Sequence, residues 1–330
     1  MSQVSHKEVS AEEDGLRLDR WFKRHFPGLS HGRLEKSLRK GEVRVDGARA
    51  KAGLRLVSGQ TIRIPPLSEE DKAPRAPKRQ WIGREEADKL RATVLYKDDD
   101  ILVINKPAGL AVQGGTKIIH HLDGMLEALK FGAKEPPRLV HRLDKDTSGV
   151  LVLARNVTSA ARMAGIFRKH ETRKIYWAFV IGVPRPEKGR IDMPLSKKRG
   201  HGGERVATGT KDARKATTLY ATVETVGRKA AWLALWPITG RTHQLRVHCA
   251  EIGVPIQGDG KYGGRDSFLD GEDISTQLHL HAREIVLPLA GNKELRVTAP
   301  LPDHMAATWK LFGLSPEDDG DPFAEVEAKL

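Results

Sequence analysis

Apolar positions along this chain follow two periods. Residues 93–112 read TVLYKDDDILVINKPAGLAV, two short strand-like runs divided by the acidic turn of Asp98 to Asp100, with Lys106 and Pro107 breaking the second run. Val150 to Leu153 is continuously apolar and rich in β-branched residues, the pattern of a buried strand. Residues 175–183, 219–226, 230–236, 278–287 and 295–299 are strand-like in the same way. Helical spacing appears first at Leu16, Leu18, Trp21 and Phe22, then at Leu34 and Leu38, where Ser30 is a fitting N-cap and Gly41 a fitting stop. Residues 42–45 alternate as a strand into an Asp46-Gly47 turn, and 61–64 repeat the pattern. Two more helices are predicted, over 158–170 and over 242–252, the latter closed by Gly253.

Length and composition narrow the class. A chain of 330 residues, 39% hydrophobic, can hold two domains and a core in the larger one. A net charge of +13 and a pI near 9.8 favour a polyanionic partner. The single cysteine, Cys249, excludes a disulfide framework and a cysteine zinc cluster, and it fits a reducing cytoplasm. The longest apolar runs, such as 176–183, are too short to span a membrane. Glu8, Glu12, Glu13 and Asp14 near the start, with no apolar stretch, argue against a signal or transit peptide, so a cytoplasmic bacterial protein is expected.

The charge is unevenly distributed. Residues 1–13 read as a flexible tail, whereas 14–66 carry 13 Lys and Arg against 5 Asp and Glu. Arg33, Lys36, Arg39, Lys40 and Arg44 would share one surface of that segment, suited to RNA phosphates; a solvated helix face is the plainer alternative. Residues 67–92, rich in Pro, Lys and Glu and including Trp81, read as a flexible linker. Residues 195–217 interleave Lys197, Lys198, Arg199, Arg205, Lys211, Arg214 and Lys215 with glycines, and read as a mobile basic loop. Residues 313–330 form an acidic C-terminal tail, expected to lie away from any RNA-binding face.

The stretch with most chemistry is 139–154, LVHRLDKDTSGVLVLA, where His141, Arg142, Asp144, Lys145 and Asp146 stand directly ahead of the buried run. Charges there are costly unless paired or used. Asp144, Asp146, Ser148 and Gly149 match the opening of a calcium loop, but the twelfth position holds Arg155 where a bidentate Glu is needed. A salt-bridged turn accounts for the pair of acids equally well. A second constellation, TGRTHQLRVH at 239–248, gathers Arg241, His243, Gln244, Arg246 and His248; on a helix, Arg246 lies one turn beyond His243 and could be aimed at Asp144. A nearby guanidinium favours an ionised, nucleophilic carboxylate. His120, His121, His141, His279 and His281 lack the spacing of a metal site.

Taken together, the segments HRLDKDTSG, NKPAG at Asn105 to Gly109, Lys174, Tyr176 and Ala178 of KIYWA, GRTHQLRVH, GDGKYG at Gly258 to Gly263 and LHA at Leu280 to Ala282 resemble the RluA family of pseudouridine synthases over residues 93–312. LRKGEVRV at 38–45, IRIPP at 62–66 and AVQGG at 111–115 are most similar to its RluC-like branch, which modifies large-subunit ribosomal RNA. Residues 14–66 resemble an S-four type RNA-binding module.

The resemblance implies an α+β fold: a mostly antiparallel, bent sheet with flanking helices, preceded by a small α/β RNA-binding domain. It implies an isomerase that breaks the N1–C1′ bond of uridine and joins C5 to C1′, work suited to a carboxylate beside an oxocarbenium-like centre. It implies base flipping. Asp144 would be the catalytic nucleophile, paired with Arg246; Tyr176 would cover the uracil and assist proton loss from C5; Arg142 would fill the vacated space; Arg241 and His243 would contact RNA. No metal, cofactor or nucleotide is required, and a monomer acting on large-subunit ribosomal RNA is expected. The alternative is a non-catalytic RNA-binding or ribosome-assembly protein, which has no need of Asp144, Tyr176 and Arg246 together.

Overall fold

In the computed structural model the described residues are 3–73, 82–115, 118–200, 203–210, 212–271, 273–289, 291, 293–317 and 320–324. The chain separates into two compact units, Met1–Lys78 and Arg79–Leu330.

In the first unit, β1 (Ser5–Glu8), α1 (Leu18–His25), α2 (His31–Lys40), β2 (Arg44–Val45), β3 (Ala48–Arg49) and β4 (Thr61–Ile64) enclose one core. Leu18, Trp21, Phe22, Leu34, Leu38, Val45, Leu56, Ile62 and Ile64 fill it. Ser30 caps α2 by accepting the Arg33 N–H at 3.3 Å, and Gly41 ends it in the left-handed conformation. Residues 5–8 are not a loose tail, because β1 pairs antiparallel with β4 and buries Val9 and Glu13 behind it. All four β1 side chains are exposed, so backbone pairing holds this strand and no hydrophobic alternation announces it. The expected linker is partly ordered too: α3 (Glu69–Lys72) presents a buried Asp71, which accepts from Arg33 at 2.8 Å, and α4 (Arg84–Ala92) buries Ala87 and Leu90 in the second unit. Residues 74–81, including Trp81, lie outside the described residues.

The second unit continues with β5 (Val94–Lys97), β6 (Ile101–Lys106), α5 (Leu122–Met125), β7 (Arg138–Leu139), β8 (Ser148–Ala154), α6 (Val157–Lys169), β9 (Arg173–Ile181), β10 (Lys188–Asp192), β11 (Ser196–Gly200), β12 (Gly203–Ala207), β13 (Thr217–Val226), β14 (Ala230–Pro237), α7 (Gln244–Glu251), β15 (Leu280–Pro288), β16 (Glu294–Thr298) and α8 (Asp303–Leu311). Its large sheet runs β10-β13-β14-β9-β15-β8-β6-β5, with β16 against β15 and β7 against β8. Side chains alternate between two cores across β9 and β14: Ala178, Val180, Leu233 and Leu235 face α7, while Phe179, Trp232 and Ala234 pack with Trp309 of α8. Among the described residues the named strands pair antiparallel except β8 with β15, where Ser148 and Gly149 lie opposite His281 and Ala282. Gly149, at φ +108, makes this seam possible, since a Cβ there would sit 2.2 Å from the Ala282 carbonyl oxygen. Among the described residues no helix is long and apolar enough to cross a membrane.

Two further segments differ from expectation. The basic stretch 195–217 contains a hairpin, β11 against β12, whose base is fixed by Leu195, Val206 and Ala216 packed with Val247 of α7. Its lysines and arginines mask those few apolar anchors in the sequence. Residues 201, 202 and 211 lie outside the described residues. In the acidic segment Leu314 and Phe323 are buried, Phe323 meets Trp236 edge-on at 5.7 Å, and Asp321 accepts from Arg173 at 2.5 Å. Two apolar anchors among acids dock that stretch, although 318–319 and 325–330 lie outside the described residues.

Candidate active site

Asp144 sits in the turn between β7 and β8, directly before the parallel seam, and Tyr176 lies on β9 opposite Ala282 of β15. The seam therefore brings together two residues from opposite halves of the sheet. Both line a pocket of about 120 Å³ with Arg142, Arg241, His243 and Arg246.

Lys106 holds the turn from beneath. It is fully buried, and its Nζ donates to the carbonyls of Pro107, Leu110 and Lys145 at 2.8, 2.9 and 3.0 Å. Burial pushes its pKa down to about 7, against the charges of Asp146 and Asp144. Three carbonyl acceptors match the three N–H donors of an ammonium group, so the cage itself favours the charged form. Ser148 is pinned from the side, with its hydroxyl 2.8 Å from His281 Nδ1. The other ring nitrogen of His281 donates to the Ala299 carbonyl at 3.2 Å, which leaves Nδ1 to accept from Ser148. His141 stacks on Phe167 and accepts the Val152 N–H at 2.8 Å. Burial holds His141 down to about 3 and His281 down to about 4, so both are neutral structural groups. Asp146 is exposed and does not line the pocket.

The second constellation folds more tightly than a helix over 242–252. Gln244 is buried; its Oε1 accepts from Thr239 at 2.7 Å and from the Arg241 N–H at 3.1 Å, while Nε2 donates to Thr217 and Thr218 at 2.9 Å. These bonds hold His243 in a left-handed conformation, φ 53, so that α7 begins only at Gln244. The turn aims the His243 ring into the pocket, with Nε2 3.9 Å from Asp144 Oδ2.

Arg246 does not pair with Asp144 as expected. Its Nε and Nη2 donate to Asp259 at 2.8 and 2.6 Å, a buried bidentate ion pair that also raises its pKa against the cost of burial. Asp259 belongs to the GDGKYG segment, and its Oδ1 also accepts the Tyr262 N–H at 3.2 Å. Arg246 still lines the pocket, and its charge is felt by Asp144 at longer range. Burial, and then the charge of Asp144, pushes the Tyr176 phenol up, so in the free protein it presents an aromatic face and a protonated hydroxyl to the pocket.

Arg142 and Arg241 are exposed at the mouth, with Arg241 Nε on the Lys215 carbonyl at 3.1 Å. An adjoining hollow of about 490 Å³ shares Gly240, Arg241 and Thr242 with the pocket and adds Lys197 and Arg214. In the first unit Lys36, Arg39 and Lys40 are exposed along α2, while Arg44 is turned onto the Gly41 and Gly47 carbonyls at 3.2 and 2.9 Å. Asp259 and Tyr262 are further neighbours of the pocket residues, in contact with Arg246 and His243, and nothing in their spacing assigns them a role. Their signal was a buried-helix arginine that required an acid, without any indication of which one. Among the described residues no group of three His, Cys, Asp or Glu side chains is placed to share a metal ion.

Comparison with known proteins gives this arrangement its context. The sequence profile of the RNA pseudouridylate synthase family matches residues 100–251. The chain is 35% identical to the mitochondrial RNA pseudouridine synthase 4 of Arabidopsis thaliana, covering 89% of this chain and 78% of that protein. It is 34% identical to ribosomal large subunit pseudouridine synthase C of Escherichia coli O157:H7, covering 89% and 92%. Among solved structures, human RNA pseudouridylate synthase domain containing 4 superposes with a TM-score of 0.58 at 31% identity, over 70% of this chain and 97% of that one. A carboxylate, an aromatic face and a basic rim on such a sheet, together with relatives matched over most of their length, establish that the chain belongs to the RNA pseudouridylate synthase family.

Proposed function

We propose that this protein isomerises specific uridines of large-subunit ribosomal RNA to pseudouridine, with Asp144 as the reacting carboxylate. The observation that carries the reading is Asp144 itself, standing in a narrow pocket faced by the Tyr176 ring and rimmed by Arg142 and Arg241. A uridine within folded RNA cannot reach such a pocket unless it is extruded. Tyr176 then stacks on the uracil, Arg142 takes the space the base has left, and the basic hollow beside Arg241 follows the sugar-phosphate chain.

Asp144 acts while the N1–C1′ bond breaks and the sugar gains oxocarbenium character. C5 then bonds to C1′, C5 loses its proton and N1 gains one, so the product is an isomer and no group leaves the polymer. The buried Arg246–Asp259 pair supplies fixed charge behind the carboxylate without neutralising it. The exposed cations of α2 would add affinity through phosphates. A monomer in the cytoplasm, working on ribosomal RNA without a nucleotide cofactor, accords with this chemistry.

The test is a pseudouridine map of ribosomal and transfer RNA from cells lacking the gene, complemented by wild type or Asp144→Asn. Large-subunit marks lost in the deletion and restored only by wild type are the expected result. An unchanged map, with an assembly defect rescued by both versions, would make the protein a binder.

A further inference from the structure

Val206 of β12, Tyr262 and His243 form a hydrogen-bonded line whose last member faces Asp144. The Val206 N–H lies 3.2 Å from Tyr262 Oη, Tyr262 Oη lies 2.6 Å from His243 Nδ1, and His243 Nε2 lies 3.9 Å from Asp144. A backbone N–H can only donate, so the phenol oxygen accepts there and its own proton is left to give. Burial pushes the Tyr262 phenol up, which keeps that proton in place. Giving it to Nδ1 satisfies the Val206 N–H, the phenol and Nδ1 together; the opposite arrangement would strand a phenol proton in a half-buried site, at a cost. The imidazole therefore carries its proton on Nε2, the nitrogen that faces the carboxylate.

We propose that Tyr262 and His243 are positioning residues, the phenol fixing the imidazole tautomer so that Nε2–H is directed at Asp144. This rests on the reading of Asp144 as the reacting carboxylate. Two features support a purpose-built arrangement. The left-handed backbone of His243, unfavourable for a residue with a Cβ, is held by the Gln244 bonds. The Tyr262 ring is fixed by Arg246, Arg205 and Lys261, at 5.2, 5.5 and 5.7 Å from its centroid.

The charge balance agrees with a neutral donor. Burial first, then Arg246 and Lys261, lowers the His243 pKa, while Asp144 and Asp259 oppose them. A neutral N–H orients a carboxylate and leaves its negative charge available, whereas an imidazolium would pair with it. The 3.9 Å separation is of the kind that shortens when substrate closes a site.

The experiment combines imidazole nitrogen NMR of the full chain with single-turnover kinetics on an RNA fragment carrying the target uridine. The expected spectrum shows His243 protonated on Nε2. Tyr262→Phe, which keeps the ring, should slow turnover about tenfold, the worth of one lost hydrogen bond, with RNA affinity retained. Losing the donor to Nδ1 should also move the acid limb of its rate profile to higher pH. His243→Gln, whose amide can reach the Nε2 position, should recover much of the activity that His243→Asn loses. Protonation on Nδ1, or Tyr262→Phe turning over at the wild-type rate with an unmoved profile, would overturn the proposal. A uniform loss at every pH with weakened RNA binding would reduce the line to a structural role and overturn it as well. The spectrum needs no turnover, so an active Asp144→Asn enzyme would be recognised separately as a failure of the underlying reading.

Discussion

Arg246 and Asp259 face each other through two parallel hydrogen bonds, 2.8 and 2.6 Å long, with the guanidinium 9% and the carboxylate 1% exposed. Arg246 lines the pocket and Asp259 does not, so Asp144 faces an arginine whose charge is already matched.

Removing either partner leaves the other buried and uncompensated. Arg246→Ala should cost about 3–5 kcal/mol of stability, and Asp259→Asn should also be strongly destabilising although it never approaches the substrate. Denaturant unfolding of both variants checks this. A neutral Asp259→Asn would mean that Arg246 is held by Asp144 after all.

Lys106→Met should destabilise by about 1–3 kcal/mol for each carbonyl left without a donor, and should lower turnover more than RNA affinity because the Lys145 backbone loses its anchor. The pH dependence carries a sign. A lysine held down to about 7 binds fewer protons folded than unfolded between that value and its ordinary 10.5. Wild-type stability should therefore rise from pH 7 towards 10, and the rise should be missing from the variant. Melts at two pH values are sufficient.

In the first unit, burial would raise the Glu13 pKa, yet hydrogen bonds from His25, the Ser10 N–H and Trp21 bring it down to about 2. A carboxylate held below its unfolded value stabilises fully above about pH 4.5 and loses that contribution as pH falls towards 2. At 1.36 kcal/mol per pKa unit the contribution is about 3 kcal/mol. Glu13→Gln should show faster exchange than wild type across α1 at pH 6, and the gap should narrow steadily as pH falls from about 4.5 towards 2, as read by hydrogen exchange.

Replacing Lys36, Arg39 and Lys40 together by Ala should weaken binding to all RNA sequences alike. The slope of log affinity against log salt should fall by about 0.7 per lost phosphate contact on single strands and about 0.9 on duplex. Filter binding at several salt concentrations measures it. An unchanged slope would make this face ordinary solvated surface.

What the sequence disclosed and what it hid divide along physical lines. The Asp144 turn was legible because several charges abut an apolar run, and Ser30 and Gly41 marked α2 by local stereochemistry alone. Strand β1 left no trace, since its four side chains are all exposed and only its backbone is paired. The hairpin at 196–207 was hidden by its charges, its anchors being Leu195 and Val206. The choice of Asp259 over Asp144 as partner for Arg246 depends on where a distant turn returns, which helical spacing cannot specify.

The parallel joint between β8 and β15 has a consequence for how the enzyme comes into being. Ser148 and His281, paired across it, are 133 residues apart, so closing it is a high contact-order event that waits on a long loop. Antiparallel neighbours on either side can zip locally and early. During synthesis Asp144 leaves the ribosome well before β15 exists, and Tyr176 and His243 belong to the half that β15 must join to it. A nascent chain thus carries the whole set of reacting groups for some time without an active site, and catalytic competence begins when the last long-range strand is seated.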